Sequence, residues 1–167
     1  MDIKDYLIGS VEDAHRMLGI AMQDLTDEVA LWQPPGTANT IASLLAHMVI
    51  GEDRAINRMI KGGESLFESG GWPERTGIPA GQGAIWETGW SLNLPAFKQY
   101  QEAVQVTATT YLEGAVAADF DREVPAFGTT MRPVAGILRG IIIHHILGHT
   151  GEISALKGVQ GLKGLPF

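Results

Sequence analysis

VAGILRGIIIHHILGHTGEISALK, residues 134–157, is the stretch that decides the fold. Pro133 before it supplies a fixed φ at a helix start, and nothing inside it breaks a helix. Stepping by three and four from Val134 gives Leu138, Ile141, His145, Gly148, His149, Glu152 and Leu156, one stripe of an amphipathic helix running to about Lys157. The stripe is apolar until two imidazoles interrupt it, with Gly148 leaving space between them. The apolar part, 134–147, contains Arg139 and two histidines and falls short of the roughly 20 residues a membrane span needs.

Working outward, three more helices of the same kind are expected. Leu7, Val11, Ala14, Leu18, Ala21, Met22, Leu25 and Val29 form one stripe, capped at the start by Asp2 or Asp5 and ended by Trp32-Gln33-Pro34-Pro35-Gly36. Thr37-Ala38-Asn39-Thr40 offers caps for a second helix, with Ile41, Leu44, Leu45, Met48, Ile56 and Met59 as its stripe and Lys61-Gly62-Gly63 as its close. Asn93 and Pro95 open a third, with Phe97, Tyr100 or Gln101, Val104, Thr107 or Ala108 and Tyr111 inward. Short extended pieces at Val124 and Met131 fit the connector 119–133, which is too small for a sheet of its own. These patterns predict an all-α, single domain over 1–167: a four-helix bundle, up-down-up-down or with a long crossover between helices 2 and 3.

That crossover, about 61–95, is crowded with glycine, yet it carries Phe67, Trp72, Trp86 and Trp90. Large aromatics are scarce in disordered tracts, so an ordered loop is expected. Its rings either plug the open end of a helical core or wall a pocket.

Composition narrows the function. The chain has 167 residues, 12 basic and 19 acidic side chains, a net charge of −7 and no cysteine. The charge argues against nucleic acid as a partner, because binding it needs clustered Lys and Arg. Absence of cysteine excludes disulfides, thiolate metal sites and a cysteine nucleophile, and fits a cytoplasmic protein. Met1-Asp2-Ile3-Lys4-Asp5-Tyr6 lacks the pattern of a secretory leader.

The five histidines carry the chemistry. His145 and His149, four apart on a helix, share a face and can hold one divalent ion. His47 points inward on the second helix. Three neutral imidazoles in one core are costly without partners, and a metal is a common one. Three protein ligands leave a position open, the catalytic pattern. No glutamate lies between the spaced histidines, so a zinc-protease motif is excluded. His144, rotated about 100° from His145, is read as a packing or supporting residue; His15 could line the cavity or donate to a carboxylate, with a plain packing role favoured. Glu152 continues the face of His145 and His149. It is the one candidate catalytic residue, either orienting a ligand ring or acting as a base toward water, with the orienting role favoured. Glu52, five residues past His47, is turned about 140° from it and should pair with a cation elsewhere.

His47 with Glu52, followed by His145-Ile-Leu-Gly-His149-Thr-Gly151-Glu152-Ile153, resembles the DinB-like (DinB/YfiT) superfamily, in which one histidine on the second helix joins an H-x-x-x-H pair on the last. The resemblance covers nearly the whole chain. It implies a metal-binding four-helix bundle, often a homodimer, with a divalent ion on His47, His145 and His149; imidazole ligands suit zinc, nickel or iron there. It also implies activities such as transfer or isomerisation with a low-molecular-weight thiol of the bacillithiol or mycothiol kind. The leading expectation is therefore a metal-dependent thiol S-transferase acting on a small molecule, with the Trp-rich loop walling its pocket. The alternatives are a metal-dependent hydrolase and a non-catalytic metal- or ligand-binding stress protein.

Overall fold

The computed structural model describes residues 2–81, 83–126, 128 and 130–165, so the leader expectation at Met1 and the last two residues of the predicted domain lie outside it. It is a mostly helical chain with one small sheet. Helix α1 spans Ile3–Ala21, and the short α2 Asp27–Leu31. Helix α3, Ile41–Asp53, runs without a break into a π-helical segment, Arg54–Ile60. In the crossover, α4 is Leu66–Ser69 and α5 is Trp72–Thr76, followed by a 3-10 turn at Ala84–Trp86. Helix α6 spans Leu94–Gly114 and α7 Ala117–Asp121. Strands β1, Glu123–Ala126, and β2, Thr130–Pro133, pair antiparallel with Val124 opposite Arg132. Then α8, Val134–Ile137, a second π-helical segment, Leu138–His144, and α9, His145–Val159, form one continuous rod. Among the described residues no helix is long and apolar enough to cross a membrane.

Local chemistry accounts for the helix starts. Asp2 accepts from the Asp5 backbone N–H at 2.8 Å, Thr40 Oγ1 from Ser43 at 3.1 Å and Asn93 Oδ1 from Ala96 at 3.1 Å, each satisfying an orphan donor of a first turn. Packing then fixes the arrangement: α1 and α3 each contact both α6 and α9. Helix α3 is buried nearly all round, with Leu44, Leu45 and Met48 among its fully enclosed side chains, and Phe97, Tyr100 and Val104 of α6 close on it. Each such apolar side chain contributes about 1.5–3 kcal/mol by leaving water.

Two expectations need correction. The first helix does not run to the Pro-Pro turn: it stops at Ala21, Asp24 takes a left-handed φ of 61°, and Thr26 caps the separate α2. The buried ammonium of Lys157 makes the stop stable by donating to the carbonyls of Ala21 (3.0 Å) and Gln23 (2.7 Å), acceptors left over at the helix end.

The second correction concerns the last helix. Its core stripe is Val134, Leu138, Ile142, Ile146, Thr150, Ile153 and Lys157, one residue beyond the predicted one from position 142 onward. The cause is the π segment. Its i→i+5 bonding puts extra residues into the turn and rotates everything downstream relative to a 3.6 period. His145, His149 and Leu156 consequently sit half-buried on the flank of the rod, and Glu152 is exposed.

Candidate metal centre and its cavity

The rotation turns His145 and His149 toward α3. Their rings are 4.6 Å apart between centroids, and His47 of α3 lies 4.6 Å from His145 and 5.3 Å from His149, every pair edge to face. One nitrogen from each ring falls within 4.8 Å of the other two. Nitrogens bonded at about 2.1 Å to a tetrahedral ion are about 3.4 Å apart, so shifts on the order of 1 Å close the set. The three histidines named from the sequence are thus brought together.

Two features of the site fit an ion. His145 Nδ1 is buried and makes no well-formed hydrogen bond, meeting only the Ile141 carbonyl one turn back, so the ring is short of polar partners where it is buried. The rings are also kept in the form that ligates. Burial first, then the neighbouring imidazoles, pulls the pKa of His145 down to about 4, and burial followed by the His149 charge lowers that of His47. Neutral imidazoles are metal ligands; imidazolium ions are not.

Supporting contacts follow from the helix register. Glu152 Oε2 lies 2.8 Å from His149 Nδ1, one turn along α9, which orients the ring and directs its other nitrogen away from the carboxylate. Gly51, one turn past His47, lets the His145 ring rest on the α3 backbone: a Cβ there would stand 3.4 Å from His145 Cε1. Glu52 points the other way, as its angle predicted. It is buried, and its partner is the His15 imidazole at 2.7 Å, so His15 serves as that carboxylate's partner. His144, expected to pack or support, is exposed instead, because the π turn carries it away from the core.

A cavity of about 580 Å³ opens beside the cluster, within the size range of small-molecule sites. Its floor is α3 and the π-helical segment that continues it, with His47, Gly51 and Arg54, and the last rod contributes Ile141 and His145. The crossover closes it from above. Ile85 and Trp86 line it, Trp86 packs 4.9 Å from the His47 ring, and Ser43 Oγ donates to the Ile85 carbonyl at 2.6 Å to hold the turn on α3.

The aromatics of the crossover divide between the two expected roles. Phe67 and Trp72 plug the core against Tyr100, at 5.7 and 5.3 Å, Phe67 also reaching the cavity, while Trp86 walls it beside His47. The fully buried carboxylate of Asp53 organises the plug by accepting from the backbone of Leu66 and Phe67, from Asn57 Nδ2 and from Tyr100 Oη. Farther along, Gly77 (φ 78°) packs where any Cβ would collide with the Ser91 carbonyl oxygen.

Asp53, Ser43, Gly51 and Arg54 were not singled out in the sequence. For the last two a signal existed: they follow His47 by four and seven residues, one and two helical turns on the same face.

Fold and site together define a helical protein with three convergent imidazoles, able to hold a metal ion, beside a half-apolar cavity. A family model described as the DinB superfamily matches residues 10–153, and the chain belongs to that superfamily. Among solved structures, a conserved protein from Enterococcus faecalis superposes with a TM-score of 0.80 at 15% identity, over 96% of this chain and 99% of that one. A DinB-like protein from Bacillus cereus gives a TM-score of 0.52 at 19% identity, over 95% and 90%. At these identities the likeness is one of fold. No curated protein matches the chain.

Proposed function

We propose that this protein is a divalent-metal-dependent enzyme that transfers a small-molecule thiol to an electrophile, with His47, His145 and His149 as the metal ligands. The observation that carries the reading is the meeting of three half-buried imidazoles at the wall of a ligand-sized cavity. A divalent ion held there supplies Lewis-acid chemistry, lowering the pKa of a thiol or water that reaches it.

The chain's own residues do the rest. Burial keeps His47 and His145 neutral, Glu152 holds the His149 ring, and Trp86 with Ile85 walls the cavity beside the imidazoles. The chain has no cysteine, so the sulfur nucleophile comes from a second molecule. In the transfer a sulfur–carbon bond forms, the bond from carbon to its leaving group breaks with its electron pair, and the thiol proton passes to solvent. Glu152 is fixed by His149 and serves as a positioning residue. Its role as a base belongs to the hydrolytic variant of the same site.

The four long rods, α1, residues 41–60, α6 and residues 134–159, are read as a four-helix bundle with its long crossover between the second and third. Support comes from α1 and α3 each contacting both of the others. Homodimerisation and a cytoplasmic location belong to the same proposal, and light scattering of the purified protein tests the first.

The deciding assay is thiol conjugation against a panel of electrophiles, run with bacillithiol, mycothiol and glutathione, with and without added zinc, nickel or iron. Metal-dependent conjugation that is lost in His145→Ala supports the proposal. Conjugation equal to the protein-free rate with every thiol and metal overturns it.

A further inference from the structure

Arg54 lies two helical turns beyond His47 on the same face of the second rod, on the order of 10 Å along its axis, and lines the same cavity. Among the cavity's described lining residues it is the one charged side chain apart from the imidazoles, and no carboxylate faces it from within. The neighbouring acids are occupied elsewhere. Glu52 is paired with His15, and Asp53 is surrounded by four donors. Glu68 is held by Arg58 at 3.1 and 3.4 Å and makes only a longer, solvent-exposed ion pair with an Arg54 terminal nitrogen at 3.8 Å. Arg54 Nε is buried without a partner. The rest of the cavity's lining is largely apolar, with Ile50, Met59, Phe67, Ile85 and Ile141 among it.

In a chain of charge −7, a largely apolar cavity whose wall carries one guanidinium, two helical turns from an imidazole, is a receptor for an organic anion. We propose that Arg54 anchors an anionic terminus, a carboxylate in the first instance, of the molecule that enters this cavity, selecting amphipathic acids whose reacting end reaches the three histidines. The guanidinium fork suits a carboxylate, whose two oxygens its terminal nitrogens can hold side by side. This inference rests on the reading of the cavity as the small-molecule site, and it gives that site a substrate class: acids rather than neutral apolar compounds.

The test titrates octanoate and octan-1-ol, matched in length and apolar surface, into the full chain as purified and again after chelation, followed by calorimetry. Octanoate is expected to bind about tenfold more tightly than the alcohol in both states. Arg54→Gln should bring the two within about twofold without changing the alcohol's affinity, and Arg54→Lys should keep an intermediate preference. Equal affinities in the wild type, binding of neither probe, or a preference that survives Arg54→Gln overturns the inference. Metal content of the same samples is read separately. A chain that binds no ion yet keeps the Arg54-dependent preference fails the metal reading alone, and the converse fails this one alone.

Discussion

The imidazoles of His47 and His145 meet edge to face, with centroids 4.6 Å apart and planes at 85°, although one belongs to the second rod and the other to the last. The His145 ring lies over Gly51 of α3, where there is room for a small side chain and no more: a Cβ would already touch the ring at 3.4 Å.

Substitution at Gly51 should therefore read out the metal centre. Gly51→Ala adds a methyl in ordinary contact with the ring and gains up to about 1 kcal/mol of helix propensity, so metal affinity should hold and stability should not fall. Gly51→Leu pushes the His145 ring away, and metal affinity should drop about 10–100-fold, as measured by competition with a chromophoric chelator. Unchanged affinity in Gly51→Leu would mean that His145 is not held against α3.

The His15–Glu52 pair joins α1 to α3 from the side opposite the cavity. Replacing His15 by Ala leaves a buried carboxylate without its partner and should cost about 2–4 kcal/mol in urea unfolding, with no change in metal stoichiometry. A large loss of metal in that variant would place the pair in the ion site instead.

Tyr100→Phe removes one of the four donors to Asp53 and should cost about 1–2 kcal/mol, since three donors remain. Asp53→Ala orphans all of them and should cost clearly more. It should also loosen the Phe67–Trp72 plug, visible as a red shift of tryptophan emission.

Acid should destabilise the metal-free protein through His145. Its folded pKa, about 4, lies below the unfolded value near 6.5, so between those pH values the unfolded chain binds more protons and stability rises with pH. The contribution is complete above about pH 6.5 and is lost as pH falls toward 4. The lowered pKa of His47 acts in the same direction. The urea midpoint should decline over this window, and His145→Gln should flatten the decline. Equal slopes in both proteins would contradict the assignment.

How far the sequence could be read depended on what interrupts a helix. Helix α6 was legible because Asn93 and Pro95 mark its start and Phe97, Val104 and Ala108 keep a 3.6 period on a regular rod. The break after Ala21 was not, since Gln23-Asp24-Leu25 contains neither Gly nor Pro, and Met22, Leu25 and Val29 continue the apolar period across it. Lys157, distant in sequence, stabilises that break. The π segment at Leu138–His144 has no sequence signature either, and it moved the core stripe by one residue. The histidine trio survived this error because His145 and His149 both lie in the regular helix after the π segment and moved together. Arg54 was missed because periodicity was used to find the core rather than to extend the face of His47.

Metal content of tag-free protein, measured by mass spectrometry after reconstitution with zinc, nickel or iron and removal of excess ion, tests the central claim most directly. About one ion per chain in the wild type, falling at least tenfold in His47→Ala and in the double variant His145→Ala, His149→Ala, is the predicted result. A wild type that holds no ion with any of the three metals, or a double variant that keeps its full complement, would contradict it.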